Sequence, residues 1–366
     1  MWEHSLLASD YKKTTHTIFK LFHVEHSISN NQYIINMTTR RRFISTISTS
    51  IALLFSKFSF GKEKKLDITP KNIPLNRLYK TSPFEVSQKR LDAFKLIQAQ
   101  ADICPDTTFN EYKIKRFENP DVRPLHLSPI IETLEDALEK ILNDIETLPR
   151  PNDFVRIWLL YNMGYIIQTP TALFGIDISA PSDLKIADKL DFLLITHKHT
   201  DHFSTKLMRH MGEKPVVSNF FDNKYKQGDK EQTLKFGNIE IHTKLVAHGS
   251  GKKLPKFVTT YEIICKDTKN NISIFHSGDA GRANELIPKS KVDIFIPHVA
   301  VGLNIKKCAD ETIKPKLILM SHVLELAHHI NKWRWSIPFG LNACEKITSV
   351  KTIMPFWGEM IEYRKK

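Results

Sequence analysis

The segment that most constrains this chain covers residues 195–202 and reads Ile-Thr-His-Lys-His-Thr-Asp-His. It directly follows an apolar stretch. If that stretch is a buried strand, the loop at its end can turn several side chains toward one point, because His197 and His199 would share a side in extended backbone. Asp201 and His202 would come from a tighter turn. Imidazole and carboxylate together suit Zn²⁺, Mn²⁺ or Fe, and the lack of Cys in the run argues against a structural zinc knot.

Three later residues could complete such a site, since each follows an apolar, strand-like run: His248, Asp279 and His322. Asp279 lies in a glycine-containing turn, His-Ser-Gly-Asp-Ala-Gly, at residues 276–281. Taken alone each is a weak signal, because a histidine at a strand end is commonly packed or exposed and a Gly-Asp pair is commonly just a turn. Their shared setting predicts that they gather with residues 195–202.

The HxHxDH run, followed in order by these three residues, resembles the signature of the metallo-β-lactamase superfamily. The resemblance covers roughly residues 155–360. It implies an α/β protein with a four-layer αββα sandwich, whereas periodicity alone supports only mixed α/β. It also implies two divalent metal ions, with zinc favoured and manganese or iron as alternatives. Site one would use His197, His199 and His248, site two would use Asp201, His202 and His322, and Asp279 would be shared.

Two divalent ions a few ångströms apart activate a water at neutral pH, so the resemblance implies hydrolysis of an ester, amide, lactone or phosphodiester bond. Asp201 and Asp279 would orient that water or accept its proton. The turn at residues 276–281 and the late Ser321-His322 pair are similar to the branch containing ascorbate-6-phosphate lactonase and N-acylphosphatidylethanolamine phospholipase D. The alternatives are a β-lactamase and a non-catalytic metal-binding module that retains the fold.

Several residues near the predicted site have two interpretations. Asp177, at a strand end, is either a turn carboxylate or, by resemblance, the support of a metal ligand. His276 and His298 are either strand-end packing residues or groups that orient a ligand or contact an anionic substrate oxygen. Glu325 and His329 would share a helix face with His322, so a swap of the ligand role to His328 or His329 stays open.

The N-terminal part of the chain divides by its composition. Residues 39–44, Thr-Arg-Arg-Arg-Phe-Ile, precede a mildly apolar stretch and resemble a twin-arginine export signal. We therefore predict an upstream extension at 1–36, a signal at 37–61, an N-terminal extension or cap at 62–150 and the hydrolase domain at 151–366. The prediction implies the twin-arginine machinery as a partner and a periplasmic or exported location. The alternatives are a basic, disordered N-terminus or a membrane anchor, and without a signal the location would be cytoplasmic.

The net charge of +13 favours anionic small-molecule or lipid-like substrates and leaves a membrane surface open as a partner. A lysine-rich surface explains the same charge, and no stretch with basic and aromatic residues at regular spacing supports nucleic-acid binding.

The four cysteines, at 104, 265, 308 and 344, have no metal-binding spacing. They fit buried thiols or, after export, up to two disulfides.

Overall fold

The computed structural model of this protein describes residues 74–365, apart from 120–121, 123–126, 181–183, 252 and 330–331. The predicted upstream extension at 1–36 and the signal at 37–61 lie outside the described residues. The helices of the described part are α1 (Pro74–Leu78), α2 (Gln88–Asp102), α3 (Asp106–Glu118), α4 (Pro129–Thr147), α5 (Leu184–Ala187), α6 (Thr205–His210), α7 (Ile305–Lys307) and α8 (Ile337–Glu345).

The sequence predicts helices at 87–101 and 129–142. Both are confirmed, as α2 and α4, and their ends have local causes. The hydroxyl of Ser87 accepts a hydrogen bond from the Arg90 amide and caps the start of α2. Helix α4 begins at Pro129, where a missing N–H costs nothing, and its apolar positions form one buried face. Helix α3 was not predicted, because its largely polar sequence buries little beyond Phe109 and Tyr112.

The strands form two sheets. The first, with order β13-β1-β2-β3-β4-β5, contains β1 (Val155–Tyr161), β2 (Gly164–Gln168), β3 (Leu173–Ile176), β4 (Phe192–Leu194), β5 (Val216–Val217) and β13 (Met360–Tyr363). The second, with order β12-β11-β10-β9-β8-β7-β6, contains β6 (Gln232–Phe236), β7 (Ile239–Val246), β8 (Val258–Cys265), β9 (Ile272–His276), β10 (Ile294–Ile296), β11 (Leu317–Leu319) and β12 (Lys351–Ile353).

Both sheets are mixed. Strands β3, β4 and β5 run parallel to one another, as do β9, β10, β11 and β12, while the remaining neighbours are antiparallel. Parallel strands end at the same edge of a sheet, so the loops that follow them lie side by side. Strands β1 to β4 are buried at every position, as expected for strands covered on both faces.

The two sheets pack face to face, with helices on the outside. The ring of Phe192 on β4 lies 4.7 Å from that of Phe236 on β6, measured between centroids. On the other face of the first sheet, the Trp158 indole donates a hydrogen bond to Asp144 of α4. Helix α8 packs against β12 of the second sheet. The predicted αββα sandwich of the α/β class is therefore confirmed, and α2, α3, α4 and both sheets share one apolar core.

All four cysteines are free thiols; Cys104, Cys265 and Cys308 are buried and Cys344 is half-buried. Burial raises the pKa of Cys308 to about 11, which keeps that thiol protonated and unreactive at neutral pH. In the described part of the chain, no helix combines the length and the apolar character that a membrane span requires.

The buried ion pair of Arg90 and Glu359, which joins α2 to the turn before β13, provides a stability prediction. The guanidinium donates to both carboxylate oxygens, and Glu359 also accepts from the Phe356 amide. Glu359→Gln leaves a buried cation unpaired, so we expect a loss of about 3–5 kcal/mol in urea unfolding. The exposed pair of Asp222 and Lys226 is the control: Asp222→Asn should cost less than about 1 kcal/mol. Equal losses would contradict the prediction.

Candidate metal centre

The seven predicted site residues lie in loops that follow four strands. The loop after β4 carries His197, His199, Asp201 and His202. The loops after β7, β9 and β11 carry His248, Asp279 and His322. Isolated bridges tie these loops together: His248 pairs with Ala280, and His298 pairs with Ser321. The structure thus brings all seven side chains to one edge of the sandwich, where the two sheets meet.

The first group contains the histidines predicted for site one. Potential ligand atoms of His197, His199, His248 and Asp279 all lie within 4.8 Å of one another. The Oδ2 atom of Asp279 lies 3.8 Å from His197 Nε2 and 3.2 Å from His248 Nε2. Three imidazoles and a carboxylate oxygen around one point form a ligand set that suits zinc and related divalent metals.

The second group contains Asp201, His202 and His322, again with ligand atoms within 4.8 Å. Asp201 Oδ2 lies 3.0 Å from His322 Nε2 and 3.5 Å from His202 Nε2. The other oxygen of Asp279, Oδ1, lies 3.1 Å from His202 Nε2. Asp279 therefore presents one oxygen to each group, which is the position of a residue shared between two ions.

A buried carboxylate, Asp177, fixes which nitrogen of two histidines faces the centre. It accepts a hydrogen bond from His202 Nδ1 at 2.8 Å. It also accepts from the Thr196 hydroxyl at 2.7 Å. Since the only hydroxyl hydrogen of Thr196 is used there, Thr196 Oγ1 must accept from His197 Nδ1, at 2.9 Å. Both rings thus keep a hydrogen on Nδ1 and turn the Nε2 atom, which a metal would take, toward the centre.

Several potential ligand atoms of the cluster have no hydrogen-bond partner, as is expected of atoms that bind a metal. The Nε2 atoms of His197, His202 and His248 and the Oδ1 atom of Asp279 are buried without a hydrogen bond. Buried polar atoms are nearly always paired. Several unpaired donor atoms that converge on one place are the arrangement that a bound ion would satisfy. Nitrogen and oxygen donors in this mixture suit divalent transition metals. The cluster is therefore consistent with a metal site, and the ligand role of each residue stays a prediction.

The charges of the cluster also favour a cation. Burial, reinforced by His202, lowers the pKa of His197 well below its usual value, and burial and then His248 lower the pKa of His199 to about 4. Burial opposes ionisation of Asp201 and Asp279, but the nearby His202 holds the pKa of both far below the usual range. Neutral imidazoles and ionised carboxylates are the forms that bind metals.

His202 differs from His197 and His199. Burial would lower its pKa, but the carboxylates of Asp279, Asp201 and Asp177 raise it well above its usual value. Since Nδ1 keeps its hydrogen in either state, an additional proton would sit on Nε2. A divalent cation at this position would displace that proton.

Glycines let the loop after β9 approach the ligand-bearing loops. A Cβ atom on Gly278, whose φ is +49°, would lie 2.7 Å from the Thr196 side chain. A Cβ atom on Gly281 would lie 1.9 Å from the backbone of Gly249, next to His248. The glycines of the predicted turn are therefore needed to place Asp279 between the two groups.

The expectation of a helix from His322 to His329 is wrong, because this stretch is an irregular loop. His322 and Leu324 adopt left-handed backbone, with φ of 67° and 57°. Tertiary hydrogen bonds replace the helical ones: Leu324 N–H donates to Trp335, and Leu326 N–H donates to the Tyr161 hydroxyl.

Consequently neither His328 nor His329 replaces His322. Within the described residues, neither belongs to a group with metal-ligand spacing. His328 instead pairs with the fully buried Glu325 at 2.5 Å. The Glu325 carboxylate also accepts a hydrogen bond from the Tyr161 hydroxyl.

The structure also shows the surroundings of the other residues that had two interpretations, which are Asp177, His276 and His298. Asp177 supports ligand candidates, as the resemblance implied. His276 is a packing residue that hydrogen-bonds to Met163 O and Gly278 N–H. His298 lies beside the centre, with its ring 3.8 Å from that of His322 between centroids.

Sequence reasoning missed three residues that hold Asp201 and His197. Asn162 donates to the carboxylate of Asp201 at 3.1 Å, and Ser179 donates to its backbone carbonyl at 2.7 Å. Thr196 joins His197 to Asp177. Asn162 lies in a hairpin turn with φ of 56°, a conformation that asparagine tolerates, so the sequence pointed only to the turn.

Residues 158–331 match the family model described as beta-lactamase superfamily domain. The matched segment contains all seven candidate ligands and supports the superfamily expected from the HxHxDH run. A comparison with curated protein sequences finds no match.

Solved structures with similar folds include three metalloproteins or candidates for that class. A metallo hydrolase from the archaeon Ignicoccus hospitalis is 15% identical, with a TM-score of 0.46, over 58% of this chain and 100% of the other. A possible metal-dependent hydrolase from Veillonella parvula is 13% identical, with a TM-score of 0.42, over 57% and 98%. CmlA, a diiron β-hydroxylase from Streptomyces venezuelae, is 15% identical, with a TM-score of 0.40, over 59% and 55%. Likenesses this distant carry no conclusion about function.

The unpaired donor atoms predict that metal stabilises the protein. An ion that binds only the folded state at about 1,000 times its Kd contributes about 4 kcal/mol. We therefore expect zinc, added to chelator-treated protein, to raise the Tm by several degrees in differential scanning calorimetry. Magnesium, which prefers oxygen ligands, is the control and should have a much smaller effect. An unchanged Tm with zinc would contradict a metal site.

Asp177 predicts a separate loss of metal affinity. In Asp177→Asn the charge that holds the Nδ1 hydrogens of His197 and His202 is removed, so zinc affinity should fall about 10- to 100-fold in a chelator competition titration. The control is Asp293→Asn, which removes an equally buried carboxylate that binds Ser273 N–H and Lys316 at the start of β10. It should lose stability but keep its zinc affinity. Equal affinity losses in the two variants would refute the role of Asp177.

Proposed function

We propose that this protein is a metal-dependent hydrolase that uses an activated water on an ester, lactone or phosphodiester bond. The observation that carries the proposal is Asp279, whose two oxygens face two separate groups of potential ligand atoms. Two ions held there supply an activated water at neutral pH and neutralise negative charge that develops on the substrate. His197, His199 and His248 would hold one ion, Asp201, His202 and His322 the other, and Asp279 both.

The two carboxylates of the cluster have different surroundings, which suggests different roles. Asp201 Oδ2 is already engaged by Asn162 Nδ2 and His322 Nε2, so its orientation is fixed. Asp279 Oδ1 lies 3.1 Å from His202 Nε2 and receives no hydrogen bond from a residue outside the cluster. We therefore assign to Asp279 the orientation of the attacking water and the acceptance of its proton. Asp201 takes the smaller part of holding its group of donors in place.

An anionic substrate fits the surroundings of the site. The chain is basic, with a net charge of +13. Lys198, exposed between two ligand candidates, places its ammonium group 5.7 Å from the centroid of the Phe257 ring. The same ring lies 5.0 Å from that of His199, so Lys198 and the first group lie against one aromatic ring. The positive charge of Lys198 attracts phosphate esters or carboxylates.

The test combines metal analysis with a hydrolysis screen. Purified protein is loaded with zinc, manganese or iron and assayed on a chromogenic phosphodiester, a carboxylic ester, a lactone and a β-lactam. We expect about two metals per chain and activity on the first three classes. His197→Ala and Asp279→Ala should lower kcat/KM by at least about 1,000-fold. The control is His210→Ala, an exposed histidine on α6 paired with Asp188.

The outcomes separate the alternatives. Activity confined to the β-lactam identifies a β-lactamase. Full metal content without hydrolysis of any substrate indicates a binding module. Less than one metal per chain, with no activity that depends on His197 and Asp279, overturns the enzyme proposal.

A further inference from the structure

His298, at the end of β10, is a histidine of the centre outside the seven ligand candidates. Its side chain is 3% exposed. The ring stacks on that of His322 with an angle of 28° between the planes. One of its nitrogens lies within 4.8 Å of ligand atoms of Asp279 and His322. By distance alone, His298 could be an eighth ligand or a group that meets the substrate.

The hydrogen bond on the other side of the ring distinguishes these roles. The Ala300 backbone N–H donates to His298 Nδ1 at 2.8 Å, so Nδ1 carries a lone pair and the ring hydrogen sits on Nε2. A ligand that binds through Nε2 must carry its hydrogen on Nδ1, which the Ala300 N–H prevents in His298 and which the unpaired Nδ1 of His322 allows. His202, whose Nδ1 donates to Asp177, has that arrangement. His298 is therefore built as a hydrogen-bond donor.

His276, at the end of the neighbouring strand β9, has the same local motif with a different outcome. The N–H of Gly278, two residues on, donates to His276 Nδ1 at 3.2 Å. The Nε2 hydrogen of His276 then donates to Met163 O at 3.1 Å. Among the described residues, no acceptor receives a hydrogen bond from His298 Nε2. This nitrogen is also not completely buried. A donor that is orphaned yet not sealed from solvent is available to a bound molecule.

We propose that His298 donates its Nε2 hydrogen to a negatively charged oxygen of the substrate, such as a phosphoryl or carboxyl oxygen. The inference rests on the proposed function, since it places the substrate at the centre formed by Asp279 and His322. It assigns a substrate-binding residue that the HxHxDH pattern does not contain. Stacking on His322 and the Ala300 hydrogen bond hold the ring in the orientation that this contact requires.

The first test reads the tautomer directly in the unaltered full-length protein. ¹⁵N NMR of histidine-labelled protein should show the His298 hydrogen on Nε2, with Nδ1 unprotonated. Added zinc should leave this pattern unchanged while the Nε2 signals of His197 and His202 shift to coordinated values. A hydrogen on Nδ1, or coordination of His298 Nε2 by zinc, would overturn the proposal. This measurement needs no variant, so it stands even if substitutions at 298 fail to fold.

The second test measures binding of inorganic phosphate to the zinc-loaded protein by calorimetry. His298→Phe keeps a ring against His322 but removes the donor, so the Kd should rise about 10- to 100-fold, as expected for a lost hydrogen bond to a charged group. His298→Gln keeps an N–H group and should lose less. Zinc content should stay at the wild-type level in both. His276→Gln is the matched control, and its phosphate affinity should not change.

Three results would refute the inference: wild-type affinity in His298→Phe, loss of zinc from that variant, or no phosphate binding by the wild type. The hydrolase proposal is tested independently. If no substrate is hydrolysed while His298→Phe still loses phosphate affinity, the inference stands and the hydrolase proposal fails. If hydrolysis depends on Asp279 while His298→Phe keeps the wild-type phosphate affinity, the hydrolase proposal stands and the inference about His298 fails.

Discussion

The buried carboxylate of Asp177 is the interaction on which the rest of the site depends. It lies at the end of β3 with a left-handed φ of 49° and is fully buried. A buried charge is tolerated only when its hydrogen-bonding capacity is filled, and here the Thr196 amide, the Thr196 hydroxyl and His202 fill it. The same three bonds fix the start of the loop after β4. The hydrogen bonds that stabilise the buried Asp177 carboxylate therefore also orient His197 and His202.

The candidate centre joins the two sheets at their shared edge. The loop after β4 belongs to the first sheet, whereas His248, Asp279 and His322 follow strands of the second. The carboxylates of the cluster raise the pKa of His202 well above its usual value. An ion with ligands from both sheets would add a crosslink between them and would couple metal binding to the stability of the sandwich. Such coupling would account for the unpaired donors at this edge of the sandwich.

The sequence predicted those parts of the site that follow from strand ends and spacing. HxHxDH after an apolar strand needs only local geometry, and parallel strands bring their following loops together. The loop at 321–329 could not be predicted, because helical spacing in Glu325 and His329 competes with tertiary partners such as the Tyr161 hydroxyl. The roles of Asn162 and Thr196 depend on contacts across strands. No local sequence pattern indicates the roles of Asn162 and Thr196, apart from the position of Thr196 directly before His197.

The conformation of His322 connects the site to the N-terminal helices. Left-handed backbone at two non-glycine residues, His322 and Leu324, costs free energy, of order 1–3 kcal/mol each, that other contacts must offset. Arg334 supplies such contacts: its guanidinium donates to the Leu326 and His328 carbonyls of the loop. It also donates to the carbonyls of Ala101, in the last turn of α2, and of Cys104 just beyond it.

The region at 62–150, which matched no motif, therefore contributes to the site through its described helices. The end of α2 holds Arg334, and Arg334 holds the loop that presents His322 to Asp201. A change at this helix end would reach the second group of ligand candidates without touching any of them. The end of α2 thus supports the loop of His322 through the hydrogen bonds of Arg334, although this part of the chain contributes no ligand candidate.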